Sequence, residues 1–363
     1  MVIYIILIFI PLLLSFYELL SRKGVHDIVK YLVVAMLVFV TGFRYNGGSD
    51  FFNYSEIYNN FYQIDYVEYG FIFICSVLNT IGLGVHAMYL TCSILTIMPF
   101  SYILRRFYPR FFCTGISLYL ASFIFFESWN TMRQAITMSF TALAVYTYTR
   151  MHIRNKIIKR EWLAMLFILI AFLFHKSVFF VLPLFCLIIY KNIRPTILMT
   201  TILIVSTFVV GHLLSGVYST LVLLLPHSQI NTAYLDEIEM RGVSTGLFQI
   251  YLCLCTIAMS IYLKFREKRI RQDPYVIKLF LFFLTGICIY NFFLGFFIGL
   301  RFYWYFYLFI IFFVLEVFQY IERKYRMPIY IVLVSTLLVF TFISLQSDSY
   351  RNVDMNFDLF TIY

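Results

Sequence analysis

Apolar runs of bilayer length recur from one end of this 363-residue chain to the other, as in 2–20, 195–213 and 328–345. The hydrocarbon core of a bilayer is ~30 Å thick and takes about 20 apolar residues of α-helix to cross. Inside it the backbone must satisfy its own hydrogen bonds, which a helix does within one segment. With 62% hydrophobic residues, 13% charged residues and a mean hydropathy of +0.86, the chain lies outside the range of soluble domains. It is read as a polytopic integral membrane protein, all-α. The first run, 2–20, has no basic residues before it and no small-residue cleavage site after it, so it is expected to be a retained helix. All seven cysteines lie inside apolar runs, which predicts packed thiols and neither disulfides nor a metal site.

Charge sets the orientation. Of the 28 Lys and Arg, 22 fall in or beside six short loops, at 22–30, 105–110, 150–160, 191–194, 264–278 and 323–326. The positive-inside rule places these loops in the cytoplasm. The opposite face then carries the other six cations against eleven acids. The basic balance therefore reports membrane orientation and gives no reason to invoke nucleic acid.

Spans are expected near 2–20, 28–43, 86–104, 111–127, 135–149, 161–174, 177–190, 195–213, 247–264, 275–300, 302–320 and 328–345. This makes a transmembrane helical bundle of about twelve spans (roughly 11–13), a single transmembrane domain over 1–345 with external loops at 44–68 and 215–246 and an external tail at 346–363. The run 69–83 is separated from 86–104 only by Gly82-Leu83-Gly84, and is read as a re-entrant or interfacial helix. The short pair 161–174 and 177–190 places its junction, His175-Lys176-Ser177, in a recess below the outer surface.

The six cations on the outer face are Arg44, Arg133, Lys176, Arg241, Arg301 and Arg351, and four of them touch or interrupt apolar segments. A guanidinium at membrane depth is costly and marks a functional site with an anionic partner. Arg44 opens a loop rich in Gly, Asn and aromatic residues that continues through Asp50 and Tyr54, and its aromatic faces suit sugar rings. The same pattern fits an interfacial aromatic belt with a snorkelling arginine, or an Arg44–Asp50 pair. Asn130 and Arg133 lie three residues apart at a helix start, where free N–H groups add partial positive charge, and phosphate is the natural ligand. Pairing of Arg133 with Glu127 is the plainer alternative. Arg301 stands between two apolar runs and also fits an interfacial anchor.

Gly42-Phe43-Arg44-Tyr45 with Gly48-Ser49-Asp50 and Tyr54, then Glu68-Tyr69-Gly70-Phe71, Asn130 with Arg133-Gln134-Ala135-Ile136, Phe174-His175-Lys176-Ser177, and Arg301 before Tyr305-Phe306 follow one another in order over about residues 1–345. In this the chain resembles the EpsG family of Wzy-type polysaccharide polymerases, which make O-antigen, capsular or exopolysaccharide. Tyr69 and Val178 depart from the pattern, where a proline and a small residue are expected.

The resemblance implies a membrane-embedded glycosyltransferase of GT-C-like architecture in the bacterial cytoplasmic (inner) membrane, with its active site facing the exterior. It implies transfer of a glycan chain on undecaprenyl pyrophosphate to the non-reducing sugar of an incoming lipid-linked repeat unit. The partners are then the lipid-linked oligosaccharide and the bilayer, with room for a chain-length regulator and a flippase. Arg44, Arg133, Arg301, Lys176, Asn130, Gln134, Tyr54 and Tyr305 become the residues binding pyrophosphate and sugar. His175, Asp50 and Glu68 become the candidate general bases, ranked in that order because imidazole titrates near neutral pH. Fixed guanidiniums can stabilise a pyrophosphate leaving group, so no metal and no cofactor is expected. No DxD-like acidic pair opens an external loop, which disfavours a metal-assisted nucleotide-sugar enzyme. An O-antigen ligase shares donor and leaving group and is the nearest enzymatic rival. A non-enzymatic lipid-linked oligosaccharide flippase would need the arginines but no base.

Overall fold

The computed structural model describes residues 2–21, 24–64, 66–150, 159–224, 230–265, 273–294, 296–346, 350 and 353–357. It is all-α, with a single two-stranded antiparallel pair among the described residues. Seven of the described helices are long and apolar enough to cross a membrane. The contacts divide the chain into two compact units, 1–180 with 321–363, and 181–320.

The first unit contains α1 (Val2–Leu20), α2 (Asp27–Phe43), β1 (Arg44–Tyr45), α3 (Phe51–Asn59), α4 (Tyr69–Thr80), α5 (Val85–Phe107), α6 (Phe112–Ala121), α7 (Ile124–Glu127), α8 (Met132–Arg150) and α9 (Arg160–Phe174). After the first residues of α10 (Val178–Tyr190) the chain leaves this unit, and α16 (Arg323–Leu345) and β2 (Asp354–Met355) complete it.

Helix α8 is its core. It is buried on nearly every face from Met132 to Thr147, so it shows no apolar stripe, and several of its threonine hydroxyls bond to main-chain carbonyls. Thr141 donates to the Thr137 carbonyl at 2.7 Å, and Thr137 reaches across to the Ala171 carbonyl of α9 at 2.9 Å. The 12-residue α4 occupies the run read as re-entrant and packs against α9. Gly70 allows this approach, because a Cβ there would lie 2.7 Å from the Leu173 carbonyl oxygen. The contact brings the start of α4 to the end of α9.

The run 111–127 is not one helix. Helix α6 ends at Ala121, Phe123 takes a left-handed conformation (φ 64°), and the four-residue α7 follows. Holding a phenylalanine there costs about 1–3 kcal/mol, offset by packing of its ring against Phe126 and Tyr350. The break turns the chain so that residues 128–131 form the approach to α8.

The tail after α16 returns to the unit. β2 pairs antiparallel with β1, Arg44 opposite Met355 and Tyr45 opposite Asp354, and Asn356 N–H donates to the Phe43 carbonyl at 2.8 Å.

The second unit contains the rest of α10, α11 (Ile197–Leu224), α12 (Ile230–Phe265), α13 (Pro274–Phe292), α14 (Phe297–Tyr307) and α15 (Phe309–Tyr320). Asp273 caps α13 by accepting from Tyr275 N–H at 2.8 Å, with Pro274 in the first helical position. The buried Asn291 amide joins three helices: it accepts from Gln249 of α12 at 2.9 Å and donates to the Ile204 carbonyl of α11 at 3.4 Å. Two expectations change here. The run 275–300 is helical only to Phe292, which places Arg301 inside α14. The segment 215–246, read as a loop, is helical up to Leu224 and again from Ile230.

Candidate active site

Glu68 is the hinge of the site. It precedes α4 in an extended conformation (φ −68°, ψ 143°) and does not cap the helix with its side chain. Its carboxylate reaches two other helices instead. Oε2 accepts from Nη1 of Arg133 in the first turn of α8, and Oε1 lies 2.9 Å from Nδ1 of His175 at the end of α9. The Lys176 backbone N–H also points at Oε1, at 3.4 Å. His175 is extended (φ −160°, ψ 120°), with its N–H bonded to the Ala171 carbonyl, so the helix end itself directs the imidazole to Glu68. Side-chain exposures of 7% for Glu68, 17% for His175 and 20% for Arg133 describe a recess that solvent still reaches.

Burial alone would raise the Glu68 pKa. The His175 hydrogen bond and the Arg133 charge outweigh it and hold the carboxyl at about 2. Glu68 is therefore ionised at neutral pH and can only accept hydrogen bonds. His175 must carry a proton on Nδ1 to bond it, which leaves Nε2 as the nitrogen able to take a proton when the ring is neutral. The Tyr54 side chain of α3 is hydrogen-bonded to the Arg133 guanidinium. The buried Nε of Arg133 has no partner among the described residues.

The structure thus brings together Glu68, Arg133, His175 and Tyr54, with the Lys176 backbone. The Lys176 side chain is exposed. Gln134, next to Arg133, is buried on α8. Asp50 is half-buried at the residue preceding α3, without a side-chain capping bond. Arg301 and Tyr305 belong to the second unit, on α14, half-buried and buried respectively. Arg241 has no described side chain, and Arg351 lies outside the described residues.

Arg44 and Asn130 are turned inward. Arg44 is fully buried and donates to the carbonyls of Gly47 (3.1 Å), Trp129 (3.3 Å) and Thr41. Its guanidinium also lies 4.7 Å from the centroid of the Tyr89 ring and 5.3 Å from that of Trp129. Asn130 accepts from Ser49 N–H at 2.7 Å through its oxygen and donates to the Tyr350 hydroxyl at 2.5 Å through its nitrogen. Gly48, at φ 94°, makes room for this: a Cβ would lie 2.5 Å from the Asn130 oxygen. These two residues fix the approach to α8, and Arg133 follows from it.

Trp129, Tyr89 and Tyr350 belong to this frame and were not singled out by sequence. Trp129 stands inside the motif that contains Asn130, whereas nothing local distinguishes Tyr350 from the other tyrosines of the chain.

The model of the EpsG family matches residues 27–357. The chain belongs to the EpsG family. This is a family of Wzy-like exopolysaccharide polymerases, which gives the protein a polymerase role in broad terms and agrees with its membrane-spanning helices. No curated protein and no solved structure matches the chain. In this EpsG-family protein the matched span includes all four members of the Glu68 cluster, which are contributed by α3, α8 and the ends of α4 and α9.

Proposed function

We propose that this protein elongates a polysaccharide by transferring a glycan chain from undecaprenyl pyrophosphate to the non-reducing sugar of an incoming lipid-linked repeat unit, at the outer face of the bacterial cytoplasmic membrane. The observation that supports it is the shared carboxylate: Glu68 holds a histidine on one oxygen and an arginine on the other. The pair offers a base beside a cation, which a glycosyl transfer with a pyrophosphate leaving group requires.

The acceptor hydroxyl attacks the anomeric carbon of the donor sugar. A C–O bond forms there, and the bond from that carbon to the pyrophosphate oxygen breaks. The hydroxyl proton passes to Nε2 of His175, and the bonding electrons leave with undecaprenyl pyrophosphate. Glu68 fixes the imidazole tautomer and offsets the charge of the imidazolium that forms, in the manner of other carboxylate–histidine pairs. Arg133 donates to the phosphate oxygens as their charge grows, and the exposed side chain of Lys176, next in sequence to His175, offers a second cation. A carboxyl held near pKa 2 is a poor base, so Glu68, among the candidate bases on sequence grounds, is read as a positioning residue. The roles of Arg301 and Tyr305 as donor ligands rest on the sequence resemblance alone.

A flippase has no use for a histidine oriented in this way. A ligase would use the same machinery with another acceptor. The test is a deletion strain complemented with wild-type or His175→Ala protein, with its surface polysaccharide run on a gel. The polymerase reading expects the ladder above one repeat to vanish while single repeats remain attached. Loss of all surface sugar would favour ligase or flippase. Placement is tested by cysteine labelling in intact cells: a cysteine at Tyr62 should react with an impermeant thiol reagent and one at Arg106 should not.

A further inference from the structure

A second cationic cluster lies wholly within the second unit. Lys191, just past the end of α10, Arg194 in the connection to α11, and Lys278 one turn into α13 line one small surface cleft with Asn192 and Ile277. No carboxylate lines this cleft. Among the described residues, none of the three cations has an ion-pair partner. The nearest acid in sequence, Asp273, is engaged elsewhere, accepting from Tyr275 N–H and from the Tyr320 hydroxyl.

Three like charges around one opening repel one another, and a multivalent acceptor relieves the repulsion while matching their donors. Its three cations belong to the 22 that the positive-inside rule assigns to the cytoplasmic side, the side of the membrane lined by acidic lipid. Leu184 and Leu187 on the last turns of α10 and Leu198 at the start of α11 are exposed apolar side chains on the elements flanking it. An acyl chain needs such a wall, and free phosphate does not.

We propose that Lys191, Arg194 and Lys278 form a binding site for the phosphate headgroup of an anionic phospholipid of the inner leaflet, with its acyl chains along α10 and α11. The site is independent of the polymerisation chemistry and stands or falls without it.

The full chain is reconstituted in nanodiscs of phosphatidylcholine alone or with phosphatidylglycerol, and lipid retention is read by native mass spectrometry. Two variants are compared. One carries Lys191→Gln, Arg194→Gln and Lys278→Gln; the other carries Arg106→Gln, Lys159→Gln and Lys264→Gln, the same charge loss at exposed sites elsewhere. Wild type and the control should retain phosphatidylglycerol, and the cleft variant should hold it at least about tenfold more weakly. Equal loss in both variants would reduce the effect to net charge and overturn the site. A third arm adds inorganic phosphate to the discs that contain phosphatidylglycerol. If phosphate alone displaces phosphatidylglycerol from wild type at equimolar concentration, the apolar wall contributes nothing and the lipid assignment fails.

Discussion

His175 and Arg133 share one carboxylate: Glu68 lies 2.9 Å from the imidazole Nδ1 through Oε1 and is bonded to the guanidinium through Oε2. In the proposed reaction base and cation are therefore coupled, and a change at Glu68 moves both. Glu68→Gln keeps the volume but offers an N–H₂ group that cannot offset an imidazolium. It is expected to lower polymerisation turnover about a hundredfold or more, the size expected for a lost acid–base contribution, with membrane insertion unchanged. Turnover with purified lipid-linked repeat units measures it. Near-normal turnover would remove Glu68 from the chemistry.

The pH dependence has a definite sign. The folded-state pKa of Glu68, about 2, lies below the ~4.3 of an unfolded chain, so its contribution to stability is complete above about pH 4.5 and is lost as pH falls toward 2. Melting curves of wild type and Glu68→Gln should run parallel from pH 5 to 7 and converge below 4.5. The acid limb of the activity profile should survive in Asp50→Asn. If His175→Ala keeps near-normal turnover while Asp50→Asn loses about a hundredfold, the loop carboxylate is the base.

Arg133 separates fork from charge. Arg133→Ala should remove about 3 kcal/mol of transition-state stabilisation, on the order of a hundredfold in rate. Arg133→Lys should recover little, because an ammonium cannot keep both the Glu68 bond and a bidentate hold on phosphate. Full activity in the lysine variant would show that a point charge suffices.

The helices were legible because bilayer thickness sets the length of an apolar run, and α1, α2, α5, α8, α9 and α16 lie within a few residues of the spans read from hydropathy. The members of the cluster were legible one at a time, as charges in places that charge avoids. Their union was not. Glu68 is 65 residues from Arg133 and 107 from His175, and no local period encodes a meeting of the start of α4 with the end of α9. Gly70 carries the only local trace, a residue small enough for that contact. Arg44 shows the opposite limit. Sequence marks it as an outer cation like Arg133, and only the fold shows three carbonyls and two rings closing around it.

That enclosure makes Arg44 a test of frame against chemistry. Arg44→Ala leaves buried carbonyls without donors and a void between Tyr89 and Trp129, at a cost of about 3 kcal/mol or more. The expected result is a lower melting temperature and less folded protein in the membrane. Arg133→Ala removes one partner of Glu68 but leaves its carboxylate the His175 and Lys176 N–H bonds, so it should lower melting clearly less than Arg44→Ala. Similar melting losses in the two variants would erase the distinction drawn between them.

Tyr350 tests whether the tail matters to the site. Its hydroxyl accepts from Asn130 and donates to the Phe126 carbonyl at 3.2 Å, and its own carbonyl accepts from the Tyr4 hydroxyl at 2.8 Å. Asn130 lies one turn before Arg133, so the tail braces the turn that aims the guanidinium. Tyr350→Phe keeps the ring against Phe123 and Trp129 and removes only the hydroxyl. The loss should be about 1–2 kcal/mol of stability, since Asn130 then lacks a buried partner. If the brace aims Arg133, the variant should also raise KM for the lipid-linked donor several-fold more than it lowers kcat, and adding it to Asn130→Ala should change nothing further, because Asn130→Ala already loses the bond to Tyr350 along with the one from Ser49 N–H. Additive effects, or a stability loss with unchanged KM, would make Tyr350 a packing residue of the tail and nothing more.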